Sequence, residues 1–377
     1  MDISLLPQVE DTPLGDLFTA AESKTMPETS LRTITSELAK AVATVTTDEP
    51  MARHTTFRIG GPADVFALAQ TTDQLVHAVN LCREFEVPFF LLGAGSNILV
   101  SDQGIRGVVI RNRSTEFSLG DESTHERRIW VDSGYPMPKF AVDISKYGLT
   151  GCEFLQSIPG TIGGGARQNV RFRNAAQFDR YEGLRETGKT DRCLGEFVTD
   201  VQIIGGRGER RILTGHEYRF TYTGIGVSGF EEDALIITRL GLKLQRSSVA
   251  AVRERLQQYR AWRARRAAMF ANTEVAQPED EFTGTRARQP AGATAGCVFF
   301  NVPNEHNHPT GRLIDLCGLK GRRIGNAEIS PAHANYIVNL GQARATDVRA
   351  LMDLTKEKVL SRFGVELVEE IRFVGAW

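Results

Sequence analysis

Several features that would fix the class of a protein at once are scarce in this chain. Only five of its 377 residues are cysteines, and no two of them form a Cys-x-x-Cys pair. This argues against a disulfide framework and against a zinc site, and it fits a reducing compartment. His306 and His308 form a His-x-His pair, but no further ligand stands at a recognisable spacing. We therefore predict no metal site.

Neither sign of charge dominates, and long apolar runs are missing. Lys and Arg total 45 against 46 Asp and Glu, so no global field attracts nucleic acid or a membrane surface. The longest nearly uncharged stretch, 87–100, is too short to span a bilayer, and residues 1–13 lack the basic start of a signal peptide. These absences predict a cytoplasmic protein with no nucleic-acid or membrane partner. We further expect a small-molecule substrate and a monomer or weak homo-oligomer.

Glycine, by contrast, is abundant, with 36 residues against an average share of about 7%. Two clusters follow apolar segments: Gly-Ala-Gly-Ser-Asn at 93–97 and Ile-Pro-Gly-Thr-Ile-Gly-Gly-Gly at 158–165. The backbone N–H groups of such loops can converge on phosphate oxygens. However, Ile98 stands where a dinucleotide fingerprint needs its third glycine, and there is no Gly-Lys-Ser/Thr P-loop. Phosphate binding and plain tight turns are both open at this point.

The spacing of apolar residues predicts a mixture of helices and strands. Helices are expected over 73–85, opened by Asp73, and over 346–363, opened by Thr346 and ended by Gly364. Strict alternation predicts strands between 200 and 244 and over 365–374. Residues 1–47 are rich in threonine and acidic side chains, and we expect them to form a loosely held extension.

Longer motifs run from about residue 48 to the carboxyl terminus. They include His-Thr-Thr-Phe-Arg-Ile-Gly-Gly-Pro-Ala-Asp at 54–64 and Leu-Gly-Ala-Gly-Ser-Asn-Ile-Leu-Val at 92–100. Further motifs follow at 151–164, 295–301, 311–321, 333–339 and 363–375. Taken together and in this order, they resemble the UDP-N-acetylenolpyruvoylglucosamine reductase family.

The resemblance implies an α+β fold and a flavin cofactor. Two FAD-binding subdomains of the vanillyl-alcohol-oxidase (PCMH) type are expected over 48–115 and 116–245, followed by a C-terminal α/β substrate domain over 246–377. The resemblance further implies that noncovalent FAD, reduced by NADPH, passes a hydride to an enolpyruvyl ether. The cofactor-binding residues that it implies are Thr56, Arg58, Ile59, Gly60, Gly93, Ala94, Gly95, Ser96, Asn97, Ile158, Pro159, Gly160, Thr161, Gly163, Gly164 and Asn169.

The resemblance also implies catalytic residues. The family uses a Ser or Cys as general acid, which Cys297 matches, and a glutamate near the carboxyl terminus, which Glu370 matches. From the sequence alone, a buried apolar cysteine and a solvated strand face are the competing interpretations of these two residues. The family's Tyr-Arg-Asp-Ser motif aligns on Tyr222, as a substrate-positioning residue, but the arginine position holds Thr223. Arg219 is a neighbouring alternative.

Departures from the family pattern fall around the expected substrate site. Besides Thr223, they are an insertion of about twenty residues near 171–195 and Phe300 in place of a preferred lysine. The sequence therefore favours an FAD-dependent oxidoreductase with an altered substrate site, acting in specialised metabolism on another small polar substrate as an oxidase, dehydrogenase or reductase. One alternative is the authentic NADPH-dependent reductase of peptidoglycan precursor synthesis. The other is a non-catalytic flavin-binding protein.

Overall fold

The computed structural model describes residues 27–172, 192–222, 224–228, 230, 235–268, 292–302, 304 and 308–377, with backbone only for 262–268. Most of the predicted insertion near 171–195 lies outside these residues, as do Thr223 and His306. The statements that follow concern the described residues.

Helices and strands are interspersed along the chain. The α-helices are α1 Glu28–Ala41, α2 Thr72–Glu84, α3 Met137–Ser145, α4 Ile162–Arg167, α5 Val249–Ala268, α6 Thr310–Leu316 and α7 Ala345–Phe363. The strands of the first half are β1 Thr44–Pro50, β2 Pro62–Ala69, β3 Phe89–Leu92, β4 Ile98–Val100, β5 Ile105–Asn112, β6 Phe117–Glu122, β7 Glu126–Asp132, β8 Leu149–Thr150 and β9 Arg171–Phe172. Those of the second half are β10 Arg192–Cys193, β11 Val198–Ile204, β12 Arg210–Thr214, β13 Tyr218–Phe220, β14 Ile225–Val227, β15 Ile237–Arg246, β16 Arg323–Ile324, β17 Ala327–Ile329, β18 Ile337–Asn339 and β19 Arg372–Val374.

The first sheet has the strand order β1-β2-β5-β3, with β1 antiparallel to β2 and the other pairs parallel. Helix α2 connects β2 to β3 and buries Leu75 and Val79 against the sheet. Its N-cap is Thr71, whose hydroxyl accepts from the Gln74 N–H, two residues before the predicted Asp73. Helix α1 buries Ile34 and Leu38 in the same core. Residues 28–47 of the predicted loose extension are therefore packed.

The second sheet is larger and antiparallel, with the order β12-β11-β15-β7-β6 and β8 paired to the end of β15. The alternation that predicted a strand at 240–244 places Leu240, Leu242 and Leu244 in its core. Helices α3, α4 and α5 contribute buried Phe140, Ile162 and other apolar side chains to this core. The second glycine loop, 158–164, is therefore anchored to the core of this sheet through Ile162.

The third region, from residue 292 onward, contains the β16-β17-β18 sheet with α6 and α7. Of the predicted strand 365–374, only β19 is regular, and it pairs in parallel with β4 of the first region. The core of the third region also takes in Phe57, Ile59 and Leu99. The subdomain boundaries 48–115, 116–245 and 246–377 stay predictions, but these contacts show that the carboxyl-terminal region packs directly on the first.

Helix α7 begins with help from a distant side chain. The Asp102 carboxylate accepts from the backbone N–H groups of Ala345 (2.7 Å) and Thr346 (3.1 Å) and from the Thr346 hydroxyl (3.0 Å). Asp102 thus does what a capping side chain does, and the N-cap position is occupied by Arg344, two residues before the predicted Thr346 cap. The helix ends, as predicted, at Gly364, which adopts a left-handed conformation with φ 65°.

We expect Asp102→Ala to lower the free energy of unfolding by about 1–2 kcal/mol. The backbone N–H groups of Ala345 and Thr346 lose the carboxylate to which they donate. Chemical denaturation of the FAD-loaded protein measures this change. Asp121→Ala is the matched control, since Asp121 lies exposed on β6. Equal stability of the two variants would contradict a capping role for Asp102.

Candidate active site

The two glycine loops predicted from the sequence lie against each other. Loop 93–97 joins β3 to β4, and loop 158–164 leads into α4. The Ser96 hydroxyl lies 3.4 Å from the Pro159 carbonyl oxygen, to which it donates. A Cβ at Gly93 would lie 2.6 Å from Thr161 Oγ1, so only glycine permits this approach. The fold therefore brings the two clusters together into one cradle.

Backbone N–H groups of this cradle are available to a ligand. In the described part of the chain, none of the N–H groups of residues 93–97, nor those of Gly160 and Thr161, donates to a protein acceptor. Thr161 instead uses its hydroxyl to accept from the Gly164 N–H at 3.4 Å. Unpaired N–H groups on two facing loops suit the oxygens of a diphosphate. The residues present therefore fit an FAD diphosphate.

Gly95 shows why this loop requires glycine. Its φ is +64°, a conformation that side chains disfavour, and a Cβ there would collide with the His54 carbonyl oxygen. The Gly95 carbonyl accepts from the Thr56 N–H at 3.0 Å. The loop is thus fixed directly on the 54–60 motif.

The 54–60 motif divides its residues between packing and the cradle. Phe57 and Ile59 are buried in the carboxyl-terminal core. Ile59 also exchanges backbone hydrogen bonds with the Thr55 hydroxyl. Thr56 Oγ1 donates to the Thr294 carbonyl oxygen at 2.8 Å, and Arg58 is exposed with a positive φ of 54°. Thr56 and Arg58 are therefore accessible for the predicted cofactor contacts, whereas the side chain of Ile59 has a packing role.

His54 is held by protein groups on both ring nitrogens. Nε2 lies 2.9 Å from Glu49 Oε1, and Nδ1 contacts the Arg111 guanidinium. The ring also stacks on Phe66 with centroids 4.3 Å apart. These contacts leave the imidazole little freedom to form a covalent flavin link, in keeping with the predicted noncovalent cofactor.

Cys297 and Glu370 lie on neighbouring segments beside the first glycine loop. The Glu370 N–H donates to the Val298 carbonyl at 2.9 Å, and Phe299 pairs with Glu369 in an isolated antiparallel bridge. The Asn97 side chain donates to the Glu370 carbonyl oxygen at 2.9 Å. The pairing of β19 with β4 therefore joins the predicted acidic residue to the predicted cofactor loop.

The thiols differ in their surroundings. Burial raises the pKa of the Cys82 thiol to about 12 and also raises the pKa of Cys152 well above its ordinary value. Cys297 is only half-buried. The interpretation as a buried apolar cysteine therefore applies to Cys82 and Cys152, while Cys297 is accessible enough to meet a substrate.

Asn169 bonds to the turn before Tyr222 at the far end of α4. Asn169 Nδ2 donates to the Thr221 carbonyl oxygen at 2.8 Å, and its Oδ1 accepts from the Gly195 N–H at 3.0 Å. Asn169 thus fixes the turn that carries Tyr222, whose side chain is 47% exposed. Arg219 is exposed on β13 and alternates with Tyr218 and Phe220, which pack on the second core. Arg219 therefore points away from that core.

Known protein families match both the cofactor-binding part and the carboxyl-terminal part of this chain. Residues 63–182 match the FAD binding domain family, and residues 289–374 match the C-terminal domain of UDP-N-acetylenolpyruvoylglucosamine reductase. A protein of that name from Moorella thermoacetica is 34% identical over 332 residues, covering 88% of this chain and 93% of the relative. This chain belongs to the UDP-N-acetylenolpyruvoylglucosamine reductase family. A second relative of the same name, from Symbiobacterium thermophilum, is 34% identical over 87% of this chain and 91% of the relative.

A solved structure supports the assignment. The UDP-N-acetylenolpyruvylglucosamine reductase of Thermus caldophilus superposes with a TM-score of 0.62 at 27% identity, covering 88% of this chain and 99% of that one. Together with the family matches, it confirms the predicted α+β FAD-binding fold with a C-terminal substrate domain. As a family member, the protein is an FAD-dependent oxidoreductase.

The family comparison supports one of the alternative hypotheses better than the preferred one. Relatives that match most of the chain carry the reductase name, and nothing in them indicates an altered role in specialised metabolism. The departures at Thr223 and Phe300 are therefore compatible with membership of a family whose members carry the reductase name. The alternative, an authentic reductase, is better supported.

Sequence reasoning missed the role of Asn339, which supports the site. Asn339 Nδ2 donates to the carbonyl oxygens of Phe57 (3.0 Å) and Arg58 (3.2 Å), so it fixes the cofactor motif from the third region. Its motif at 333–339 was visible, but no role could be read from it.

Among the described residues, no three His, Cys, Asp or Glu side chains group as a metal site. No described helix has the length and apolarity to cross a membrane.

Proposed function

We propose that this protein reduces the enolpyruvyl ether of UDP-N-acetylenolpyruvoylglucosamine with NADPH as electron donor. The observation that carries the proposal is the position of Glu370 and Cys297 beside loop 93–97, joined by the hydrogen bond from Asn97 to the Glu370 carbonyl. Segments that carry two candidate acids and that are bonded to a cofactor loop suit a reaction in which a hydride and a proton are both added. The shared name of the relatives supports the same substrate.

Residues of two loops and of the Thr56 motif bind the cofactor and fix its position. Loops 93–97 and 158–164 offer N–H groups to a diphosphate, and the Thr56 motif is fixed against them. When bound, FAD supplies the two-electron chemistry that no amino-acid side chain can supply. The role of the protein is to bind and orient the reacting groups and to manage the proton.

Cys297 is the proposed proton donor. Addition of a hydride to the enolpyruvyl double bond leaves an enolate, which needs one proton at carbon to become a lactyl ether. A half-buried thiol can donate that proton to a group held beside it. Glu370, whose backbone N–H bonds to the adjacent segment, is the proposed residue that orients a water molecule or acts as a second acid.

Turnover tests the proposal directly. We expect the FAD-loaded protein to oxidise NADPH when the enolpyruvyl UDP-sugar is added, with one NADPH consumed for each lactyl product. UDP-N-acetylglucosamine, which lacks the enolpyruvyl group, is the matched control and should support no consumption. A flavin that NADPH bleaches, but that the enolpyruvyl UDP-sugar does not reoxidise, would overturn the proposed substrate.

A further inference from the structure

The guanidinium of Arg171 lies over the ring of Tyr222. Its Cζ atom is 3.9 Å from the ring centroid, and its Nη2 donates to the Tyr222 carbonyl oxygen at 2.8 Å. A guanidinium that stacks on an aromatic face and bonds to the backbone is held in one orientation. Tyr222 is the residue that aligns with the motif tyrosine, after which this chain has Thr223 instead of arginine.

The position of this pair connects it to the cofactor cradle. The turn after Tyr222 lies against the end of α4, because a Cβ at Gly224 would collide with the Arg167 carbonyl oxygen. Helix α4 has six residues, which corresponds to a length of about 9 Å, and it begins at the second glycine loop. Arg171 and Tyr222 therefore lie one short helix away from the loops that fit the FAD diphosphate.

The side chain of Arg171 makes few polar contacts with the described residues. In the part of the chain that the structure describes, its polar contact is the Tyr222 carbonyl, with no carboxylate at ion-pair distance. Arg192, on the paired strand β10, differs because its Nη1 lies 3.3 Å from a Glu196 carboxylate oxygen. A guanidinium has five N–H donors, so Arg171 retains enough of them to bind a carboxylate through two parallel hydrogen bonds.

We propose that Arg171 binds the carboxylate of the enolpyruvyl group and replaces the arginine that is missing after Tyr222. The proposal rests on the proposed function, since it assigns one residue to that substrate. Charge grows on the carboxylate end of the enolpyruvyl group as the hydride adds, and a fixed cation there stabilises it. The cation comes from β9 rather than from the turn itself, which explains how Thr223 and Gly224 are tolerated.

A pair of ligands isolates this interaction. The enolpyruvyl UDP-sugar carries the carboxylate, whereas UDP-N-acetylglucosamine does not, and calorimetry on oxidised FAD-loaded protein measures the binding of both. We expect Arg171→Ala to weaken binding of the first ligand by about 10–100-fold, the loss of a hydrogen-bonded charge pair, and to leave binding of the second unchanged. Arg171→Lys should give a smaller loss, because it keeps the charge without the planar fork.

Arg219→Ala is the matched control, because Arg219 is an exposed arginine on the strand that leads to Tyr222. It should bind both ligands as the wild type does. Tyr222→Leu keeps bulk but removes the stacked ring, and we expect it to reproduce a weaker form of the selective loss. FAD content should be unchanged in all four variants, which shows that the cradle is intact.

Two results would overturn the role of Arg171: equal weakening of both ligands in Arg171→Ala, or the selective loss appearing in Arg219→Ala instead. A different result would overturn the proposed function itself. If the wild-type protein shows no preference for the enolpyruvyl ligand, the substrate is wrong whatever Arg171 does. The two failures are therefore distinguishable.

Discussion

Replacement of Cys297 by alanine should lower turnover of the enolpyruvyl UDP-sugar by about 10²–10⁴-fold, the usual contribution of a positioned general acid. The reason is that alanine has no proton to donate to the enolate carbon. Flavin reduction by NADPH should stay at the wild-type rate, because that step requires no proton from Cys297. The loss should therefore fall entirely on the second half of the reaction.

Rapid mixing separates the two halves. The flavin is first reduced anaerobically with NADPH, and its reoxidation by the enolpyruvyl UDP-sugar is then followed by absorbance. Cys297→Ser should reoxidise faster than Cys297→Ala, since a hydroxyl can also donate a proton. Cys317→Ala is the control, because Cys317 is a half-buried cysteine of the same region, where it packs against the core and its thiol donates to the Lys358 carbonyl oxygen at 3.6 Å. Reoxidation of Cys297→Ala at the wild-type rate would contradict its role as proton donor.

Gly95→Ala should remove most of the bound FAD. Alanine disfavours the positive φ at this position, and its Cβ would collide with the backbone of His54. Strain of this kind costs roughly 1–3 kcal/mol, which corresponds to FAD binding weakened by about 5–150-fold. The loop must move to relieve the collision, and its unpaired N–H groups then no longer face the diphosphate together.

Fluorescence titration of the apo-protein with FAD measures this loss. Gly206→Ala is a suitable control, because a Cβ at Gly206 meets nothing within 4 Å. Thermal unfolding without FAD shows whether Gly95→Ala folds. A folded Gly95→Ala protein with wild-type FAD affinity would show that loop 93–97 does not hold the cofactor.

Gly95 and Cys297 have different roles, but their segments are connected by hydrogen bonds. Gly95 shapes a loop whose last residue, Asn97, bonds to the carbonyl of Glu370, and Glu370 bonds to the segment of Cys297. A backbone shift at Gly95 can therefore also disturb the acid residues. For this reason we expect Gly95→Ala to lower turnover even at saturating FAD, whereas Cys297→Ala should leave FAD affinity unchanged.

The sequence by itself determined the features that are encoded over a few neighbouring residues. The glycine loops, the stop of α7 at Gly364 and the alternation in β15 depend on local conformational preference and spacing. The family motifs added the FAD fold and the catalytic candidates. These could be predicted because each signal lies within one short segment.

Only the tertiary structure decided how distant segments meet. In the structure, β19 pairs with β4, and side chains from residues 28–47 pack in the first core. Asp102 accepts a hydrogen bond from the first residue of the helix that starts at Ala345. The tertiary structure also laid Arg171 over Tyr222, where the sequence showed only a missing arginine. The physical reason is that such contacts are selected by packing and hydrogen bonding across the whole core, and neither leaves a periodic or local signal in the chain.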